Sequence, residues 1–172
     1  VGGGRFNCSL GIDATVSGGY GNKSCTNRSF IGGGFSNTIS AAYSTISGGY
    51  CNSASGVRSF IGGGQANAAS GVRSTIAGGT LNTASGYRSA ILGGSNNTAS
   101  GCYSTATGRL NTASGYSSVV FGRSNTASAN DSAVLGGVSN TASGACSFVG
   151  GGRVSTASGT YSFVGGGRCS RA

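Results

Sequence analysis

The side chains able to do chemistry are few, and most lack the partner that chemistry requires. Asp13 and Asp131 are the only acidic residues and there is no His. A Ser-His-Asp arrangement has no base, and a carboxylate pair for acid–base work has no second member nearby in the chain. The segment 18–24, GGYGNKS, is superficially like a phosphate-binding loop, but Asn22 precedes Lys23 where that motif requires Gly, and no helical pattern follows. Six cysteines (Cys8, Cys25, Cys51, Cys102, Cys146 and Cys169) show no C-x-x-C spacing. The chain is therefore expected to have no catalytic residue, metal site or cofactor, and not to be an enzyme.

Charge is more informative. Eleven basic residues against two acidic ones give a formal charge of +9. Arg28, Arg58, Arg73 and Arg88 each stand just before a Ser, whereas Arg5, Arg109, Arg123, Arg153 and Arg168 follow glycines. Guanidinium groups at regular spacing suit a polyanion, such as a host-surface glycan, lipopolysaccharide or nucleic acid. They equally suit a solvated face that keeps a chain with only 8% charged residues soluble. Asn7, Asn22, Asn27, Asn96 and Asn130 begin Asn-x-Ser/Thr sequons, several of which chance alone produces in a chain this rich in Asn and Ser.

The regularity of these positions points to the elements that must hold them. Glycines recur at Gly3, Gly18, Gly33, Gly48, Gly63, Gly78 and Gly93, then at Gly108, Gly122, Gly136, Gly151 and Gly166, in steps of fifteen or fourteen. The shorter steps are expected to lack the second glycine of a pair. A parallel column of Asn7, Asn22, Asn37, Asn52, Asn67, Asn82, Asn97, Asn111, Asn125 and Asn140 ends with Ser155 and Ser170. The unit Ser-x-(Ile/Val)-x-Gly-Gly-x-x-Asn-Thr-Ala-Ser-Gly-x-x contains two short runs of period-two alternation, the signature of strands. A period this short excludes helical repeats and propeller blades. The prediction is an all-β, parallel β-solenoid of about eleven 14–15-residue coils, two short strands per coil. The double glycine and the Asn segment are expected to supply its turns, since Gly, and less readily Asn, tolerate positive φ. The whole chain, 1–172, reads as one rod and, beginning without Met in mid-repeat, as a piece of a longer fibre.

Alternation also assigns faces. The Ile/Val column and the Ser two residues before it share one face, and the Ala column (Ala54 to Ala157) points the same way in the other strand. Thr83, Thr98, Thr112, Thr126, Thr141 and Thr156 then point outward, with Ser85, Ser100, Ser114, Ser128, Ser143 and Ser158 beside them. Phe30, Phe60, Phe148 and Phe163 also point away from the interior, where a neighbouring chain would cover them; a self-associating rod is expected. No segment is long and apolar enough to span a membrane.

The phrase itself carries a resemblance. N-T-A-S-G-x-x-S-x-V/I-x-G, as in 111–122 (NTASGYSSVVFG) and 140–151 (NTASGACSFVGG), resembles the head repeats of YadA-like trimeric autotransporter adhesins, over essentially the whole chain. Repeats of this kind also occur in phage and viral fibres. The resemblance implies a left-handed β-roll, three chains side by side, and an adhesive fibre segment outside the cell or on a virion. A second resemblance gives a different use: the Thr-x-Ser array is similar to the Thr-x-Thr face of insect antifreeze β-solenoids, which implies ice binding by Thr83, Thr98, Thr112, Thr126, Thr141 and Thr156.

Overall fold

A computed structural model describes residues 1–172 and contains strands and turns only. Twenty-two short strands alternate between two sheets, each of eleven strands, and every pairing is parallel between one coil and the next. Most strands are two residues long, so no single strand is stable by itself. Stability comes from stacking, as in other solenoids, where a coil buries its inner face only with its neighbours.

The inward residues follow the alternation. In the first sheet (Thr83–Ala84 and its equivalents) Ala54, Ala69, Ala84, Ala99, Ala113, Ala127, Ala142 and Ala157 are fully buried. In the second sheet Ile31, Ile46, Ile61, Ile76, Ile91, Val120, Val134 and Val149 oppose them, and together they form one continuous core. Small residues on one side and branched ones on the other let the two sheets approach closely. Ala106 breaks the pattern: it sits in the Ile/Val column between Ile91 and Val120.

The turns differ from expectation. Positive φ falls on twenty-two non-glycine residues, at two places per coil: the residue before the buried Ser and the residue before the Asn. Arg58, Arg73 and Tyr103 occupy the first place; Leu81, Ala66 and Val154 occupy the second. The glycine that cannot be replaced is the second of each pair. A Cβ on Gly79 would run into the carbonyl oxygen of Gly94 one coil on, and would lie 2.6 Å from Asn82 Nδ2. The first glycine, Gly78, has open space around it. Accordingly, the shortened coils lack the first glycine and not the second: Gly108 pairs with Gly94, and Gly122 with Gly108, while the register shifts between Ile91 and Gly94.

The Asn column is not a turn element either. Asn22 to Asn140 are buried, and each side chain bonds across coils. Asn97 Oδ1 accepts the Asn111 backbone N–H at 3.1 Å, while Asn97 Nδ2 donates to the Gly93 carbonyl at 3.2 Å and to the Gly108 carbonyl at 2.8 Å. The pattern repeats from Asn7 to Asn140, an internal amide ladder of the kind that stacked identical strands allow.

Candidate functional site

The first sheet turns a plane of small hydroxyl residues outward. Thr83, Thr98, Thr112, Thr126, Thr141 and Thr156 pair one above another without a register shift. Strand geometry puts successive rungs about 4.8 Å apart and the Ser column about 7 Å from the Thr column. The Thr side chains are half-buried and Ser85, Ser100, Ser114, Ser128, Ser143 and Ser158 are exposed. Upstream the columns continue as Thr38, Ser53 and Ala68 beside Ser40, Ser55 and Ser70. No charged residue interrupts this face between Thr38 and Ser158; Lys23 stands in the Thr column at one end and Arg171 bridges to Thr156 at the other. The hydroxyls of Thr83 to Thr141 make no hydrogen bond within the protein, which leaves them to water.

The other sequence-predicted residues fall elsewhere. Phe30, Phe60, Phe148 and Phe163 lie on the outer face of the second sheet; Phe148 stacks on Phe163 with centroids 5.3 Å apart, but Thr45 separates Phe30 from Phe60. The two arginine groups occupy opposite edges of the rod and different stretches of its length. Arg28, Arg58, Arg73 and Arg88 line the corner leading from the first sheet to the second. They interleave with tyrosines: Arg28 and Arg58 each sit 5.5 Å from the Tyr43 ring, and Arg88 sits 5.2 Å from Tyr87. Arg28 Nη1 donates to Tyr43 Oη at 2.8 Å and Nε lies 3.6 Å from Asp13. That hydrogen bond first, and the charges of Tyr43 and Asp13 after it, raise the Arg28 pKa above its ordinary value. Arg109, Arg123, Arg153 and Arg168 stand on the opposite edge, where Val138 interrupts them. Neither group is a continuous cationic stripe. Toward the N-terminus the same edge carries Tyr20, Phe35 and Tyr50 stacked at 5.1 Å, a ladder of partly exposed rings. All six cysteines are free thiols.

Two features of the site escape sequence reasoning. The amide ladder beneath one end of each Thr-bearing strand holds the rungs in register, and the signal for it was the run of Asn from Asn7 to Asn140 in one column. The position of the extra residue in fifteen-residue coils, on the far side from the Thr face, is visible only once the pairing is known.

A family model described as the grass antifreeze beta roll matches residues 54–151, more than half of the chain. No curated protein matches the chain. The matched stretch lies within the uncharged part of the Thr–Ser face.

Proposed function

The chain belongs to the grass antifreeze beta roll family, and from that premise we propose that it binds ice through the Thr–Ser face of the first sheet. The observation that carries the reading is the unbroken register of Thr83 to Thr156 over an inward column that is Ala at every rung from Ala54 to Ala157. A water bound between two hydroxyls is enthalpically close to a direct hydrogen bond and costs little extra when the hydroxyls are already fixed. Rungs at a constant spacing fix them in rows, close to the repeat of oxygens in crystalline ice. The Thr methyls add an apolar surface against which first-shell water orders. Area decides the strength: each rung contributes little, and many rungs in one plane contribute together.

Thermal hysteresis and inhibition of ice recrystallisation are the direct measurements. Thr112→Tyr sets a bulky ring at the centre of the face and is expected to remove most of the activity. Ser117→Tyr is the matched control, because Tyr43, Tyr103 and Tyr161 already occupy its place in other coils. A wild-type protein inactive in both assays refutes the reading, as does equal loss in the two variants. The adhesive, trimeric fibre implied by the YadA-like resemblance draws support from the shared β-roll architecture alone, whereas the antifreeze family match adds an activity to the same architecture.

A further inference from the structure

The outer face of the second sheet is built to a different rule from the Thr–Ser face. Its two outward columns carry no charged residue, the arginines Arg109 and Arg123 standing at the edge where two of its strands end, and its large side chains stand in solvent: Phe30 is 41% exposed and Leu92 61%. Each phenylalanine in the column has a glycine two residues on, and its ring lies across that glycine. The Cε1 atoms of Phe30 and Phe60 come within 3.5 Å of where a Cβ on Gly32 or Gly62 would be, and those of Phe148 and Phe163 within 3.4 Å on Gly150 and Gly165. Where the first residue is small, the second has a side chain, as in Ala90/Leu92, Ala133/Leu135 and Thr75/Ala77. The pairing levels the face into an uncharged plate, apolar except where the rungs Thr15/Ser17, Thr45/Ser47 and Thr105/Thr107 carry hydroxyls.

Eleven rungs at about 4.8 Å, each about four residues wide, give roughly 650 Å². Two such plates pressed together bury about 1,300 Å², within the range of a standard specific interface. A mixed apolar and hydroxyl face free of charge at its centre is the usual composition of such an interface.

The edges indicate what covers it. In the rungs where Arg28, Arg58, Arg73 and Arg88 occupy one edge, the other carries Phe35, Gln65, Thr80 and Ser95. In the rungs where Arg109, Arg123, Arg153 and Arg168 occupy that other edge, the first carries Tyr103, Ser117, Cys146 and Tyr161. No rung bears arginine on both. A two-fold axis along the rod sets each edge beside the opposite edge of a second copy at the same height, so every guanidinium meets a neutral or aromatic residue. An antiparallel arrangement centred on the plate sets Arg88 against its own copy. We infer that two copies of this chain pack side by side and parallel through the second-sheet face, which leaves a Thr–Ser face outward on each side of the dimer.

Sedimentation or light scattering of the intact chain at micromolar concentration tests this, independently of any ice assay. The expected mass is twice 16.5 kDa. Phe60→Glu and, separately, Leu92→Glu place a charge on the plate and are each expected to give monomers with the wild-type circular dichroism; at least one must be folded and monomeric. Direction is read from a spin label on Cys169 with the other five cysteines changed to Ser. Parallel packing brings the two labels together at one end, and antiparallel packing holds them apart by about the rod length of 50 Å. A wild-type monomer, a mass three times that of the chain, a folded variant that stays dimeric, or end-to-end label separation overturns the inference. Ice activity retained in monomeric Phe60→Glu leaves the proposed function standing whichever way the mass falls.

Discussion

Truncating one rung of the amide ladder separates it from the serine column that runs along the opposite corner of the core at equal burial. Asn111 is fully buried: its Oδ1 accepts the Asn125 N–H at 2.9 Å, and its Nδ2 donates to the Thr107 carbonyl at 2.8 Å and the Gly122 carbonyl at 2.7 Å. Asn111→Ala removes all three bonds and leaves the buried Asn125 N–H without an acceptor. At about 1 kcal/mol net per bond, plus the desolvation of an orphaned donor at about 1–3 kcal/mol, the expected loss is about 4–6 kcal/mol. Ser104 is equally buried, but its Oγ has no hydrogen-bond partner. Ser104→Ala removes a buried hydroxyl that bonds nothing, and is expected to fall within about 0.5 kcal/mol of wild type or to stabilise slightly. Urea titration followed by circular dichroism measures both. Because a solenoid's stability is close to a sum over neighbours, the Asn111 variant is also expected to broaden its transition, the two halves of the rod uncoupling at the damaged rung. Equal destabilisation by the two substitutions would refute the view that the Asn column, and not the packing of polar residues in general, ties coil to coil.

Gly79→Ala is expected to cost several kcal/mol, or to prevent folding, because the added methyl group meets the Gly94 carbonyl and the residue sits at φ +99. Gly78→Ala, next to it in the chain, is expected to be neutral or mildly stabilising, since nothing lies within 4 Å of the new carbon; thermal melts of the pair decide. Ala106→Val restores the branched residue found above and below it in the core column and is expected to raise stability by about 1 kcal/mol; a loss of that size would mean the shortened coils are already filled. Cys51, Cys102, Cys146 and Cys169 are exposed and are expected to react with a thiol reagent in the native state before the half-buried Cys8 and Cys25, which mass spectrometry of partly labelled protein reads directly.

Much of this architecture was legible in the sequence because a two-residue alternation repeated eleven times leaves one arrangement that buries Ala and Ile/Val together. The outward placement of Thr112 and Phe60 follows from it directly. What was not legible has specific causes. Positive φ is carried by residues as unlike as Arg73, Leu81 and Val154, so no residue type announces it; it recurs by place in the coil. Asn was read as a turn former because isolated Asn usually is one, and only the stacked register of identical residues turns it into a ladder. The Phe–Gly coupling of Phe30 with Gly32 was written in the sequence, yet its meaning depends on the ring lying across the sheet. The two arginine groups were separable in the sequence by their place in the repeat, but Tyr43 and Val138 interrupt them, and that these places lie on opposite edges follows only from the pairing.

The distribution of irregularity is itself an argument for which face works. Two successive fourteen-residue coils, Asn97 to Asn111 and Asn111 to Asn125, interrupt the fifteen-residue ones in the rod, and each change of length must be absorbed somewhere. The second sheet takes it, with a register shift between Ile91 and Gly94. Across the same coils the first sheet continues undisturbed, Thr98 on Thr112 and Thr112 on Thr126. Core variation is divided in the same way: the second sheet's inward column ranges over Ile, Val and Ala106, while the first sheet's column is Ala at every rung from Ala54 to Ala157. A face selected only for packing has no reason to be protected from insertions that the opposite side accepts. A face that must match a crystalline lattice does, because one displaced rung puts every rung beyond it out of phase. Inserting a single glycine after Gly108 is therefore expected to be tolerated, restoring a fifteen-residue coil with hysteresis close to wild type, whereas inserting one between Thr112 and Ala113 throws Ala113 outward, breaks the alternation and abolishes activity. Comparable hysteresis in both insertion variants would show that lattice matching by this face is not what the fold preserves.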